Sequence, residues 1–196
     1  MIEEKFVRIN ENTIKVNTGG IITKHPEHIV IDGISGCHIG GLKSPYILQN
    51  CSGILNIEHS KHKITIIGCS SNIMLNDCSE VEIRNSSGQL IITNIAKIEI
   101  LDSVFQITAT NSPNIKISST PYTFGGKALE RGYKIKICNS VNSSFYCPTE
   151  MLEIVDSNNL NINECMSALN MKNCKKINIK YFTLLITKLL TRNDYN

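Results

Sequence analysis

Residues 64–117 read ITIIGCSSNIMLNDCSEVEIRNSSGQLIITNIAKIEILDSVFQITATNSPNIKI. Apolar residues recur there as short pairs: Ile64/Ile66, Ile73/Leu75, Val81/Ile83, Leu90/Ile92, Ile98/Ile100, Phe105/Ile107 and Ile115/Ile117. Each pair flanks a single residue, the period-two pattern of a strand with one buried face. Between the pairs sit Gly68-Cys69-Ser70, Asn76-Asp77-Cys78, Asn85-Ser86-Ser87, Asp102-Ser103 and Asn111-Ser112-Pro113. Asn, Asp and Ser bend a chain because their short side chains bond nearby backbone and tolerate unusual φ. A strand and a corner cannot bury a face alone, so such units must stack on copies of themselves. The pattern predicts an all-β, single-domain, right-handed parallel β-helix with two short strands per coil and roughly 17 residues per coil.

Working outward, the expected domain covers residues 1–196. Residues 1–45 hold strand-like runs broken by Gly19-Gly20, Gly33, Gly36 and Gly40-Gly41, and are expected to form irregular N-terminal coils or a cap. Regular coils are expected over 46–117 and again over 134–180, where Ile135/Ile137, Leu152/Ile154, Leu160/Ile162, Leu169/Met171 and Ile177/Ile179 resume the period. The stretch 118–133 is expected to loop out, with a helical turn at Ala128-Leu129-Glu130-Arg131. Its Gly125-Gly126-Lys127 is no phosphate loop, because the first Gly of that pattern is missing and Ala128 stands where a hydroxyl is needed. Residues 181–196 are apolar for an outermost coil. They are expected to cap the stack, or to pair with another chain through Tyr181, Phe182, Leu184 and Ile186.

The net charge of +3 is too small for a broad nucleic-acid-binding field. No apolar run is long enough for a membrane span. Met1-Ile2-Glu3-Glu4-Lys5 offers no secretory signal, so a cytoplasmic setting is expected. The glycosylation-type triplets Asn50-Cys51-Ser52, Asn85-Ser86-Ser87 and Asn142-Ser143-Ser144 are then expected to stay unused. Several of the eight Cys are spaced by multiples of nine, as Cys51, Cys69 and Cys78 are, and Cys138, Cys147, Cys165 and Cys174. This predicts small, buried, reduced thiols at equivalent corners. No metal-ligand spacing is present, and neither a metal nor a cofactor is expected.

The residue between each inward pair points outward. One row is Thr65, Glu82, Glu99 and Lys116; its two carboxylates are the only acid/base pair worth weighing, and a solvated charged face is the expected reading. His59 and His62 fall in a Lys-rich surface turn. The other row is Asn56, Met74, Ile91 and Gln106, uncharged and half apolar; it is the candidate protein-binding surface, the alternative being that the tail after Tyr181 or the excursion after Ser118 folds back to cover Met74 and Ile91.

The Ile47-Leu48-Gln49-Asn50-Cys51-Ser52 segment, the corners Asn76-Asp77-Cys78 and Asn173-Cys174, and the Ile pairs between them resemble the C-terminal domain of cyclase-associated proteins. The wider superfamily includes the tubulin-folding cofactor C domain. The resemblance covers about two-thirds of the chain. It implies a right-handed β-helix, a cytoplasmic setting, binding of monomeric actin with faster nucleotide exchange, and a homodimer formed through C-terminal strands. The chain departs from the family in having no Trp. It also lacks the Gln-x-Arg finger of the cofactor C branch: Gln49, Gln89 and Gln106 precede Cys51, Ile91 and Thr108. GTPase activation is therefore unsupported, and no functional residue carries over by position. The expected function is a non-enzymatic cytoskeletal protein-binding module. The alternatives are a self-assembling structural β-helix, like a bactofilin or a viral fibre element, and a carbohydrate-active β-helix.

Overall fold

A computed structural model describes residues 7–10, 13–14, 20–118, 123–124, 127–128, 134–146, 151–163 and 168–180. In chain order the strands begin with β1 (Val7–Asn10), β2 (Thr13–Ile14), β3 (Ile21–Lys24), β4 (Ile29–Asp32), β5 (Ser35–Gly40), β6 (Tyr46–Gln49), β7 (Ser52–Glu58) and β8 (Ile64–Ile67). They continue with β9 (Ser70–Asn76), β10 (Glu80–Arg84), β11 (Ser87–Thr93), β12 (Lys97–Leu101), β13 (Val104–Thr110), β14 (Ile115–Ser118), β15 (Thr123–Phe124) and β16 (Lys127–Ala128). The last are β17 (Lys134–Cys138), β18 (Val141–Tyr146), β19 (Met151–Val155), β20 (Asn158–Asn163), β21 (Ala168–Lys172) and β22 (Lys175–Lys180). No helix occurs among the described residues.

The strands build a parallel β-helix. One ten-stranded sheet runs β2-β1-β5-β7-β9-β11-β13-β17-β19-β21; the second runs β22-β20-β18-β14-β12-β10-β8-β6-β4-β3. Each coil crosses once from the second sheet to the first and back. Parallel pairing at one register aligns the inward residues into ladders: Ile66, Ile83, Ile100, Ile117, Phe145 and Ile162 in one sheet, and Ile57, Leu75, Ile92, Ala109, Ile137 and Ile154 in the other. All of these are buried in a single core. Apolar burial across both sheets is what holds the coils together.

Two features depart from the expected boundaries. Parallel stacking reaches back to Val7, because β4 pairs in parallel with β6, β5 with β7 and β1 with β5. The N-terminal cover is antiparallel: β3 pairs with β4, and β2 with β1. The excursion lies between β14 and β17, and across it the step lengthens to 28 residues, against 17 in neighbouring coils. Its described part is a small hairpin of β15 and β16, so Ala128 lies in a strand and not in a helical turn.

The corners repeat one device. A residue with positive φ turns the chain, as Asn50, Asp77, Asn85, Asn94, Asp102, Asn111, Asn139, Asp156 and Asn173 do at φ between 45° and 55°. Asn and Asp tolerate this left-handed region better than other side chains. The next residue points inward. In one corner column these are Cys51, Cys69, Ser86 and Ser103; in the other, Cys78, Ile95, Ser112, Ser140 and Ser157, all buried. The Cys ladder expected from the nine-residue spacing is therefore a mixed Cys/Ser column at each of two corners. Cys37 and Cys138 lie in strands β5 and β17, outside it. The six described Cys are free thiols, four of them buried. Cys147 and Cys165 lie outside the described residues.

Candidate functional site: the uncharged outer face

The seven-residue strands β7, β9, β11 and β13 carry two central outward rows on the first sheet. Register places Asn56, Met74, Ile91 and Thr108 side by side in one row. Ile54, Asn72, Gln89 and Gln106 form the other. Gln106 was expected beside Ile91. The structure moves it one row away, because Ile107 pairs with Leu90 and Ala109 with Ile92. Strand β13 holds three inward residues, Phe105, Ile107 and Ala109, so its outward row shifts by two positions.

Met74 and Ile91 are direct neighbours in adjacent strands, 37% and 47% exposed. Ile54, absent from the expected set, lies diagonally beside Met74 and is 39% exposed. Its signal was the run Ile54-Leu55, which reads as part of the inward pair unless the strand is extended toward its start. No charged side chain occurs in either row on these four strands. Charge begins at the margins. On the N-terminal side His38 Nε2 lies 2.7 Å from Glu58 Oε1, and its Nδ1 lies 3.4 Å from the Asn56 amide. On the C-terminal side Lys136 pairs with Glu153 at 3.2 Å.

The outward face of the second sheet is the opposite in character. Thr65, Glu82, Glu99 and Lys116 align as expected. Glu82 is almost fully buried and bonds Lys63 at 2.5 Å and the Arg84 guanidinium. The Lys63 hydrogen bond holds its carboxyl below the usual carboxylate range, against the opposing effect of burial and with help from Arg84. Glu99 pairs with Lys116 at 2.5 Å and Glu80 with Lys97 at 2.9 Å. Each carboxylate of the row thus holds its own cation, the arrangement of an ion-paired face. His59 sits in an exposed corner, its Nδ1 3.5 Å from Asp77 Oδ2. His62 accepts the Ser60 hydroxyl at its carbonyl, 2.8 Å away.

Tyr181, Phe182, Leu184 and Ile186 lie outside the described residues. Among the described residues no group of three or more His, Cys, Asp or Glu could hold a metal ion. No helix among them is long and apolar enough to cross a membrane. Compared with family models, with curated proteins and with solved structures, the chain matches none.

Proposed function

We propose that this β-helix is a non-enzymatic, cytoplasmic protein-binding module of the cytoskeleton, and that its partner docks on the uncharged face of the first sheet. The observation that supports this most is Met74 beside Ile91, both exposed and in register, on four strands whose two central outward rows carry no charge. Grouped exposed apolar residues mark interfaces more often than scattered ones do. The surrounding amides and hydroxyls offer hydrogen bonds at the rim, where interfaces are polar. Monomeric actin is the partner that the resemblance to cyclase-associated proteins implies, with the module acting as a homodimer.

The test is nucleotide exchange on monomeric actin with the wild-type chain, with Met74→Lys/Ile91→Lys and with Gln89→Arg. The wild type is expected to speed exchange, and both variants are expected to stay folded and lose the effect. A wild type without effect overturns the actin reading. Variants as active as the wild type move the docking surface elsewhere. Gln89→Arg changes only an exposed amide, so it reports on the face even if the double variant unfolds. Light scattering is expected to show a dimer.

A further inference from the structure

The described stack ends on strands β21 and β22, each paired on one side only: β21 with β19, and β22 with β20. No strand among the described residues pairs with their other edges. Met171 and Ile179 continue the inward ladders of Ile154 and Ile162, yet are 39% and 40% exposed. Residues 168–180 also carry Lys172, Lys175, Lys176 and Lys180 with no acid, in a chain whose whole net charge is +3. All four lysines are exposed. Among the described residues, Asp156 in the preceding coil accepts the Asn173 amide at 2.9 Å, and Glu153 of β19 pairs with Lys136.

We infer that this end of the solenoid is a docking edge for an extended acidic peptide strand, which adds to β22 as one more rung. Strand addition draws affinity from main-chain hydrogen bonds and specificity from alternate side chains. Apolar residues on one face of the added strand cover Ile177 and Ile179. Acidic residues of the added strand lie beside the β22 lysines Lys175, Lys176 and Lys180, with Lys172 at the end of β21 across the corner. The same lysines repel an identical edge, so a second copy docked end to end meets like charge. Charge complementarity thus selects an acidic strand over self-pairing.

The probe is a fluorescent peptide of alternating glutamate and valine, titrated into the full chain and followed by anisotropy. Controls are the alternating lysine/valine peptide and an N-methylated glutamate/valine peptide, which cannot complete the strand hydrogen bonds. The acidic peptide is expected to bind, and both controls to fail. Lys172→Glu/Lys175→Glu/Lys176→Glu should weaken binding by roughly tenfold or more, since one decade needs only about 1.4 kcal/mol of lost charge pairing. These exposed side chains leave the core untouched, and circular dichroism checks the fold. No binding overturns the proposal. Equal binding of the N-methylated peptide also overturns it, leaving only charge attraction. Binding that emerges only once residues 181–196 are deleted overturns it too, and assigns the edge to the chain's own C-terminal residues.

Discussion

The backbone N–H of Cys69 donates to the Ser86 hydroxyl, 3.0 Å away in the next coil. That hydroxyl donates in turn to the Arg84 carbonyl at 2.8 Å. The relay continues in both directions: Cys51 N–H meets Cys69 Sγ at 3.3 Å, and Ser86 N–H meets Ser103 Oγ at 3.1 Å. A corner removes backbone groups from the sheet ladders, and a buried polar group must find another partner. Ser86→Ala leaves the Cys69 amide without one and is expected to cost about 1–3 kcal/mol. Ser86→Cys keeps a small acceptor of the kind the column already uses and should stay within roughly 1 kcal/mol of wild type. Urea unfolding of the two variants separates them; equal losses would contradict the relay.

Ile83 and Ile100 are neighbours in one inward ladder and are fully buried. Truncating either to Ala opens a cavity between coils whose backbones are locked in register. The expected loss is about 2–5 kcal/mol. A loss below about 1 kcal/mol in denaturant unfolding would show that the coils collapse around the gap.

Gly88 has φ of 129°, and a Cβ there would lie 2.0 Å from the Ser71 carbonyl oxygen. The obstacle is backbone in a parallel rung, which a side-chain rotation cannot relieve. Gly88→Ala is expected to destabilise by more than about 2 kcal/mol. A melting temperature equal to wild type would mean that the strands slide apart at little cost.

Glu82 supplies the pH dependence. Its folded-state pKa is lowered, chiefly by Lys63, so its contribution is present above the ordinary value of 4.5 and is lost as pH falls through the depressed value. Lys63 and Arg84 are each about half exposed, which leaves the contribution near 1 kcal/mol or less. Glu82→Gln should lose that amount at neutral pH and converge on wild type in acid. A stability gap that is constant with pH would rule out the ion pairs as its source.

The thiols should react in order of exposure. Burial pushes Cys37 up to about 12. The neighbouring Cys69 thiol lowers the Cys51 thiol, but Cys51 is buried at 1% exposure. Alkylation of native protein followed by peptide mass spectrometry is expected to label Cys138 and Cys174 before Cys37, Cys51, Cys69 and Cys78. Early labelling of Cys51 would show that its corner opens.

The solenoid was legible because its information is local. An apolar pair specifies one inward strand face, and an Asn or Asp before a small residue specifies a corner. The charged row from Thr65 to Lys116 was legible for the same reason, since every strand in it holds one inward pair and one outward residue between. The corner column was half legible. The period-nine Cys marked it, but the Ser residues that do the same work were hidden among other Ser, because only their shared hydrogen bonds distinguish them.

The sequence by itself determined the fold class, the coil length and, outside β13, the inward pairs of the regular coils, since periodic burial and turn chemistry act within a few residues of chain. The tertiary structure alone decided which outward residues share a row. Strand β13 holds both Phe105/Ile107 and Ile107/Ala109 as possible inward pairs, and only its hydrogen-bonded register against β11 sets Thr108, not Gln106, beside Ile91. It also decided that Ile54 joins Met74, that Glu82 and Glu99 are held by separate cations, and that four exposed lysines gather on the last two described strands. Those relationships connect residues a full coil apart, and pairing between coils exists only once the stack has formed.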